Sequence, residues 1–251
     1  MHLPALRLTA LFLSGLLAIT ARADVTEKIS QTHPLAADGS VVVENVNGSI
    51  EITGWDRPEV SLEAEKKGKT EEDLQRISVV IDARADRFAV KTVHEKIAGL
   101  IPRSNHGSVT YRLKVPTGAR LEKIDTVNSR ITVRGVTGHV NLDTVNGSIE
   151  ASGLAAGGRF DTVNGSVDVS FDRVRAGDQI VLDSVNGSCR VSLPKDAAFA
   201  LVADSVNGSI RCDFPITIEK SGRRHLRGKV GDGSASLKLD SVNGGLRINA
   251  H

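Results

Sequence analysis

Aromatic side chains are scarce: beyond residue 23 the chain holds only Trp55, Tyr111, Phe88, Phe160, Phe171, Phe199 and Phe214. A surface that stacks bases or sugar rings needs several exposed rings in a row, and no such row is present. Net charge is lacking too. The 32 Lys+Arg and 30 Asp+Glu become 30 against 30 once Arg7 and Arg22 of the leader described below are set aside. Nucleic acid is therefore not expected as a partner, because its binders use excess cations to neutralise phosphates. No apolar run past residue 23 approaches the roughly 20 residues that span a bilayer, so no transmembrane segment is expected in the mature chain. His33, His94, His106, His139, His225 and His251 are dispersed, without the His-x-x-x-His spacing of a zinc site. A Gly-x-Ser-x-Gly elbow is missing as well. The sequence supplies no catalytic residue and no metal or cofactor site, and it does not read as an enzyme.

What is present begins with an export signal. Met1 to Arg7 is short and basic, Leu8 to Ile19 is apolar, and Ala21-Arg22-Ala23 has the small-x-small form of a cleavage site. The apolar run of 12 residues is too short to span a bilayer. Residues 1–23 are predicted to be a signal peptide cut after Ala23, leaving 228 of 251 residues, ample for a packed domain. The product is expected to be exported, to the periplasm or to the cell surface and beyond.

Internal repetition dominates the rest. An acidic residue, Thr or Ser, and Val-Asn-Gly recur, with the turn asparagines at Asn47, Asn128, Asn146, Asn164, Asn186, Asn207 and Asn243, spaced by 81, 18, 18, 22, 21 and 36 residues. Around each turn the residues alternate in the manner of a strand, as in Val140-Asn141-Leu142-Asp143-Thr144. Two architectures fit. An antiparallel meander would make every Asn-Gly a type I′ hairpin turn. A single-stranded parallel β-solenoid would make each repeat one coil, with equivalent residues stacked about 4.8 Å apart. The solenoid is preferred, since stacking explains why the same residues recur: Asn over Asn forms an amide ladder, and Val over Ile over Leu a continuous core. The seven asparagines are the residues singled out, as a structural turn ladder.

Residues 24–120 carry one copy of the motif and longer strands, and read as a β-rich N-terminal region capping the repeats of 121–251 and continuous with them. Thr70-Glu71-Glu72-Asp73 has the form of a helix N-cap with acids in its first turn, predicting one short helix to about Ile77. Phe214 to Ser236 fills the widest gap within the repeats and holds Lys220, Arg223, Arg224, Arg227 and Lys229; it is read as a solvated hairpin in preference to a basic docking loop.

The stretch Ser40 to Arg57, including Val46-Asn47-Gly48 and Gly54-Trp55-Asp56-Arg57, then Tyr111 to Gly118 and the serial Thr/Ser-Val-Asn-Gly turns, resembles the bacterial DUF4097 "putative adhesin" family of β-strand repeat proteins. The resemblance covers nearly all of the mature chain. It implies a right-handed single-stranded β-helix, grouped with envelope-associated toastrack domains that accompany membrane-stress proteins, and it brings no catalytic residues. The chain departs from frequent members in having no transmembrane anchor.

The acids of the repeat, Asp125, Asp143, Asp161, Asp183, Asp204 and Asp240, form a column that could attract calcium. The Gly-Gly-x-Gly-x-Asp signature is missing, however, so each is read as an outward strand residue paired with neighbours such as Arg190 and Arg211. Five turns spell the Asn-Gly-Ser sequon, but turn geometry accounts for Asn and Gly without a glycan. Cys189 and Cys212 fall in columns one coil apart and offset by two residues, about 8 Å, beyond the roughly 7 Å that a relaxed disulfide reaches; two buried free thiols are expected. Together these readings point to a non-enzymatic envelope protein, an adhesin-like binding or display module for an unidentified protein or glycan ligand. The alternative is a periplasmic structural or stress-linked scaffold contacting other envelope proteins.

Overall fold

The computed structural model describes residues 24–95 and 107–251, and the expected leader lies outside the described residues. In chain order come β1 (Val25–Pro34), β2 (Ser40–Glu44), β3 (Ile50–Trp55), β4 (Glu59–Gly68), helix α1 (Glu71–Gln75), β5 (Ile77–Ala83), β6 (Arg87–His94) and β7 (Ser108–Pro116). The repeats then supply strands in pairs: β8 (Arg120–Thr126) with β9 (Ile131–Arg134), β10 (Val140–Thr144) with β11 (Ile149–Leu154), β12 (Gly158–Asn164) with β13 (Val167–Phe171), and β14 (Gln179–Asn186) with β15 (Cys189–Leu193). β16 (Phe199–Ser205) and β17 (Ile210–Cys212) follow, then the hairpin β18 (Thr217–Ser221) and β19 (His225–Val230), then β20 (Ala235–Ser241) with β21 (Leu246–Ala250).

Each repeat gives one strand to each of two sheets, which among the described residues are ten and eleven strands wide. Neighbouring coils pair in parallel with equivalent residues opposed, as in Asp143 with Asp161, Asp161 with Asp183, and Ile149 with Val167. The fold is thus an all-β parallel solenoid and not a meander. The Asn-Gly turns are not type I′ either. That turn needs positive φ at both central residues, and among the described residues no side-chain-bearing residue has one.

Alternation places the core between the sheets. Leu142, Phe160, Leu182, Leu239 and Leu201 stack inward from one, while Ile149, Val167, Cys189 and Leu246 stack from the other, all essentially without solvent contact. Burying each such side chain stabilises by about 1.5–3 kcal/mol. Antiparallel strands close the ends: β4 and then β1 extend from β7, β5 lies against β6, and β19 and then β18 extend from β16. β1 has no counterpart in the hydrophobic pattern, because its side chains are mostly exposed; backbone pairing from Val25 opposite Gly68 to Pro34 opposite Glu59 holds it. α1 starts as its cap requires: Thr70 accepts from the Asp73 amide, and the Asp73 carboxylate accepts from the Thr70 amide.

The order of coils differs from the order of the chain. β20 lies between β14 and β16, and β21 between β15 and β17, so the last repeat fills a slot inside the stack. At the other end β2 and β3 sit likewise between β6–β7 and β8–β9. The insertion corrects the spacing of the cysteines. Cys189 opposes Leu246, while Cys212 opposes Ile248 from the far side of β21, so two coil steps and a two-residue offset separate them by about 12 Å. Both thiols are free, but only Cys189 is buried; Cys212 is half-buried because three-residue β17 forms the edge of its sheet.

Candidate functional site

The repeat motif builds a ridge with a groove beside it. In each coil the acid points outward, the next Thr or Ser inward, and the Val outward again, as alternation along a strand requires. Five inward hydroxyls are bonded: Thr144 donates to the Ser129 carbonyl at 3.0 Å, Thr162 to Gly147 at 2.8 Å, and Ser184, Ser241 and Ser205 to Gly165, Gly187 and Gly244, each at 3.0 Å, whereas the buried Thr126 hydroxyl makes no such bond. Thr or Ser precedes Val-Asn-Gly because its hydroxyl satisfies a turn carbonyl of the adjoining coil.

At the corner, the asparagine side chains hydrogen-bond from coil to coil. Asn128 donates to Asn47, Asn146 to Asn128, Asn164 to Asn146, Asn186 to Asn164, Asn243 to Asn186, and Asn207 to Asn243, at 2.8–2.9 Å. The inserted coil places Asn243 ahead of Asn207. Glycine follows because the coils touch there: a Cβ on Gly165, Gly187, Gly244 or Gly208 would overlap a turn carbonyl of the next coil. The one exception is Ser129. Beside it Gly48 turns to φ 112°, and the Gly48 amide donates to Ser129 Oγ at 3.0 Å.

Outside the ridge, Val127, Val145, Val163, Val185, Val242 and Val206 form a second column, each 37–54% exposed. It runs parallel to the acid column, two residues further along each strand. Between the two columns lies a groove of about 640 Å³ crossing five coils, lined among others by Asp143, Asp183, Asp240, Val163, Val185 and Val242. Its length is about 19 Å at one strand spacing per step. Arg224 and His225, from the turn into β19, stand in the groove at its last coil. The acid wall is laced with cations: Arg159 bridges Asp161 at 2.6 Å and Asp183 at 2.9 Å, Lys238 meets Asp240 at 2.6 Å, Lys123 meets Asp125 at 3.2 Å, and Arg227 meets Asp204 at 3.7 Å.

Burial first, and then the neighbouring Asp125, raises the Asp143 carboxyl above its ordinary value. Burial and then Asp161 do the same to Asp183. The partners expected for this column do not serve it: Arg190 and Arg211 lie past the turn in the other sheet, where Arg190 pairs with Asp168 at 2.7 Å. Among the described residues no three His, Cys, Asp or Glu side chains gather as a metal-holding group.

The turn asparagines thus form the ridge that bounds the groove. The groove's apolar wall was missed in the sequence, although parity marks it, since Val145 is two residues from outward Asp143 and so shares its face. A degenerate copy of the motif was missed as well. Lys91 of Lys91-Thr92-Val93-His94 pairs with Glu44 of Glu44-Asn45-Val46-Asn47, and Thr92 joins a buried network, donating to Asn45 Oδ1 at 2.9 Å and lying 2.7 Å from the Tyr111 hydroxyl.

A parallel two-sheet solenoid with an asparagine ridge and a valine-walled groove defines the class of this protein as a β-solenoid. The chain belongs to the DUF4097 Toastrack family, whose model matches residues 38–249. Similar solved structures include a "putative cell adhesion protein" from Clostridium sporogenes ATCC 15579, at 12% identity over 91% of this chain and 100% of that one, TM-score 0.47. A "putative adhesin" from Bacteroides fragilis NCTC 9343 is similar at 9% identity over 88% and 97% of the two chains, TM-score 0.35. A "putative lipid binding protein" from Parabacteroides distasonis ATCC 8503 is similar at 12% identity over 90% and 96%, TM-score 0.29. No curated protein matches the chain. No helix among the described residues is long and apolar enough to cross a membrane.

Proposed function

We propose that this chain is an exported, non-enzymatic envelope protein, an adhesin-like binding module whose contact surface is the groove between the acid and valine columns. Export rests on the basic-apolar-small pattern of residues 1–23. The observation that carries the binding reading is the valine column. Six valines in successive coils hold apolar surface in water beside a ready concavity, and contiguous exposed apolar surface marks contact sites. The volume falls within the range of ligand clefts, about 300–1,000 Å³. The hydroxyls of its floor donate to backbone carbonyls and not to a side-chain base. Solenoids commonly use such long faces for binding.

The test is binding of the labelled protein to intact envelopes, comparing the natural chain with Val163→Asp and Val185→Asp. These changes leave the core untouched and are expected to cut binding at least tenfold. Undiminished binding would place the contact elsewhere. Fractionation separates the two envelope roles: exposure at the surface supports adhesion, and a strictly periplasmic protein supports the scaffold reading.

A further inference from the structure

On the other side of the asparagine ridge, the outer face of the second sheet carries three arginines in consecutive strands. Arg190 opposes Arg247, and Arg247 opposes Arg211, so their backbones stand about 4.8 Å apart. Like charges directly opposed destabilise a sheet. Only Arg190 is compensated, by Asp168 at 2.7 Å. Among the described residues no carboxylate comes within 4.0 Å of Arg247 or Arg211; Asp213, two residues past Arg211, does not reach it.

The turn beside these arginines departs from the motif. Ser188 and Ser209 follow the Asn-Gly of their coils, but the coil between them has Gly245. Packing does not demand this glycine. A Cβ at Gly245 would meet nothing nearer than the Ser209 carbonyl at 3.5 Å, an ordinary contact, whereas one at neighbouring Gly244 would overlap the Gly187 carbonyl. Nor does Gly245 have a positive φ. The missing side chain opens a notch of about 170 Å³ lined by Ser188, Ser209, Gly245 and the three arginines, with Cys189 and Leu246 at its base. Burial pushes the Cys189 thiol up to about 12, so the base is uncharged at neutral pH.

We propose that this notch binds a phosphate group, either free or as a monoester. The guanidinium forks of Arg247 and Arg211, with the donors of Arg190 that Asp168 does not take, suit the free oxygens of a phosphomonoester, since Arg offers planar paired donors to such oxygens, and the Ser188 and Ser209 hydroxyls add donors at the rim. A doubly charged anion also relieves the repulsion within the arginine column. The site shares no residue with the valine groove and stands or falls independently of it.

The test is calorimetric titration of the full chain with inorganic phosphate at low ionic strength. Saturable binding is expected, weakened at least tenfold by Arg247→Gln, the loss typical of a charge-assisted hydrogen bond. Gly245→Leu, whose Cβ fits without overlap and whose side chain occupies the notch while adding no hydrogen-bond donor, should weaken it similarly while leaving the thermal melt unchanged. Arg130→Gln, removing an arginine just before β9 of the same sheet that is paired with Glu150 at 3.2 Å, should leave binding intact. A phosphorylated sugar and vesicles containing phosphatidic acid then separate the sources. Binding of the sugar alone assigns a soluble or glycan-borne phosphate, and co-sedimentation with the vesicles assigns a lipid headgroup. Absence of saturable phosphate binding, or binding by Arg247→Gln or Gly245→Leu as tight as that of the natural chain, overturns the proposal.

Discussion

The asparagine ridge depends on each residue bonding to two others. Asn164 gives its amide hydrogen to Asn146 and takes one from Asn186, whereas Asn207 ends the row with a single bond to Asn243. Each exposed bond stabilises by about 0.5–1.5 kcal/mol. Asn164→Ala is therefore expected to cost about twice as much as Asn207→Ala in chemical denaturation, and equal costs would mean that the ladder contributes little. The acid column acts the other way. Asp143 is held above its ordinary 3.8 by burial and by Asp125, so its charge disfavours the folded chain at neutral pH, and stability contributed through this group rises as pH falls through the raised value. Asp143→Asn should raise the melting temperature at pH 7, by the equivalent of about 0.2–1 kcal/mol. That gain should vanish below 3.8, where the carboxyl is protonated in both states. Glu44, lowered by Lys91 and Lys123, has the opposite sign: its contribution is present above 4.5 and lost on acidification.

Among the elements, the β18–β19 hairpin shows how a basic-looking insertion serves the fold. β19 pairs antiparallel with β16 from Phe199 opposite Val230 to Asp204 opposite His225, covering an edge that would otherwise template another chain. The new edge, β18, is protected by Glu219, Lys220 and a register shift between Ile218 and Lys220. Replacing Thr217–Val230 by a short polar linker is expected to produce concentration-dependent dimers in size-exclusion chromatography with light scattering; a strictly monomeric product would show that the hairpin does not guard the edge. Its charges were legible in the sequence, but their places were not. Arg227 meets Asp204, and Lys229 meets Glu219, contacts that follow from which strand the hairpin lies against.

At the scale of the whole molecule, the inserted coil changes what truncation does. In a simple stack, removing the last repeat costs one interface. Here removal of Ala235–His251 takes out a coil that touches neighbours on both sides, so β16 and β17 lose their parallel partners. The truncated chain is expected to keep a protease-resistant core ending near Leu193, with residues beyond it digested in a limited proteolysis time course. Protection of β16 and β17 in that fragment would count against the inserted order.

The β-solenoid class, the capped helix at Thr70 and the inward or outward parity of most strand residues follow from the sequence alone, because periods of two and of about 20 residues and a capping box are local patterns that need no knowledge of contacts. The repeat also carried the candidate groove in its parity: a Val two places from an outward Asp cannot face the core. Tertiary structure alone decided which coil adjoins which. Every repeat presents nearly the same faces, so Asn243 fits beside Asn186 or beyond Asn207 equally well by pattern, and the choice shows only in the three-dimensional stack, where the β18–β19 hairpin covers the edge beyond β16. That choice separates the two cysteines by an additional coil and brings Arg190, Arg247 and Arg211 into one column. It also sets Gly245 between Ser188 and Ser209, turning a single departure from the motif into a notch.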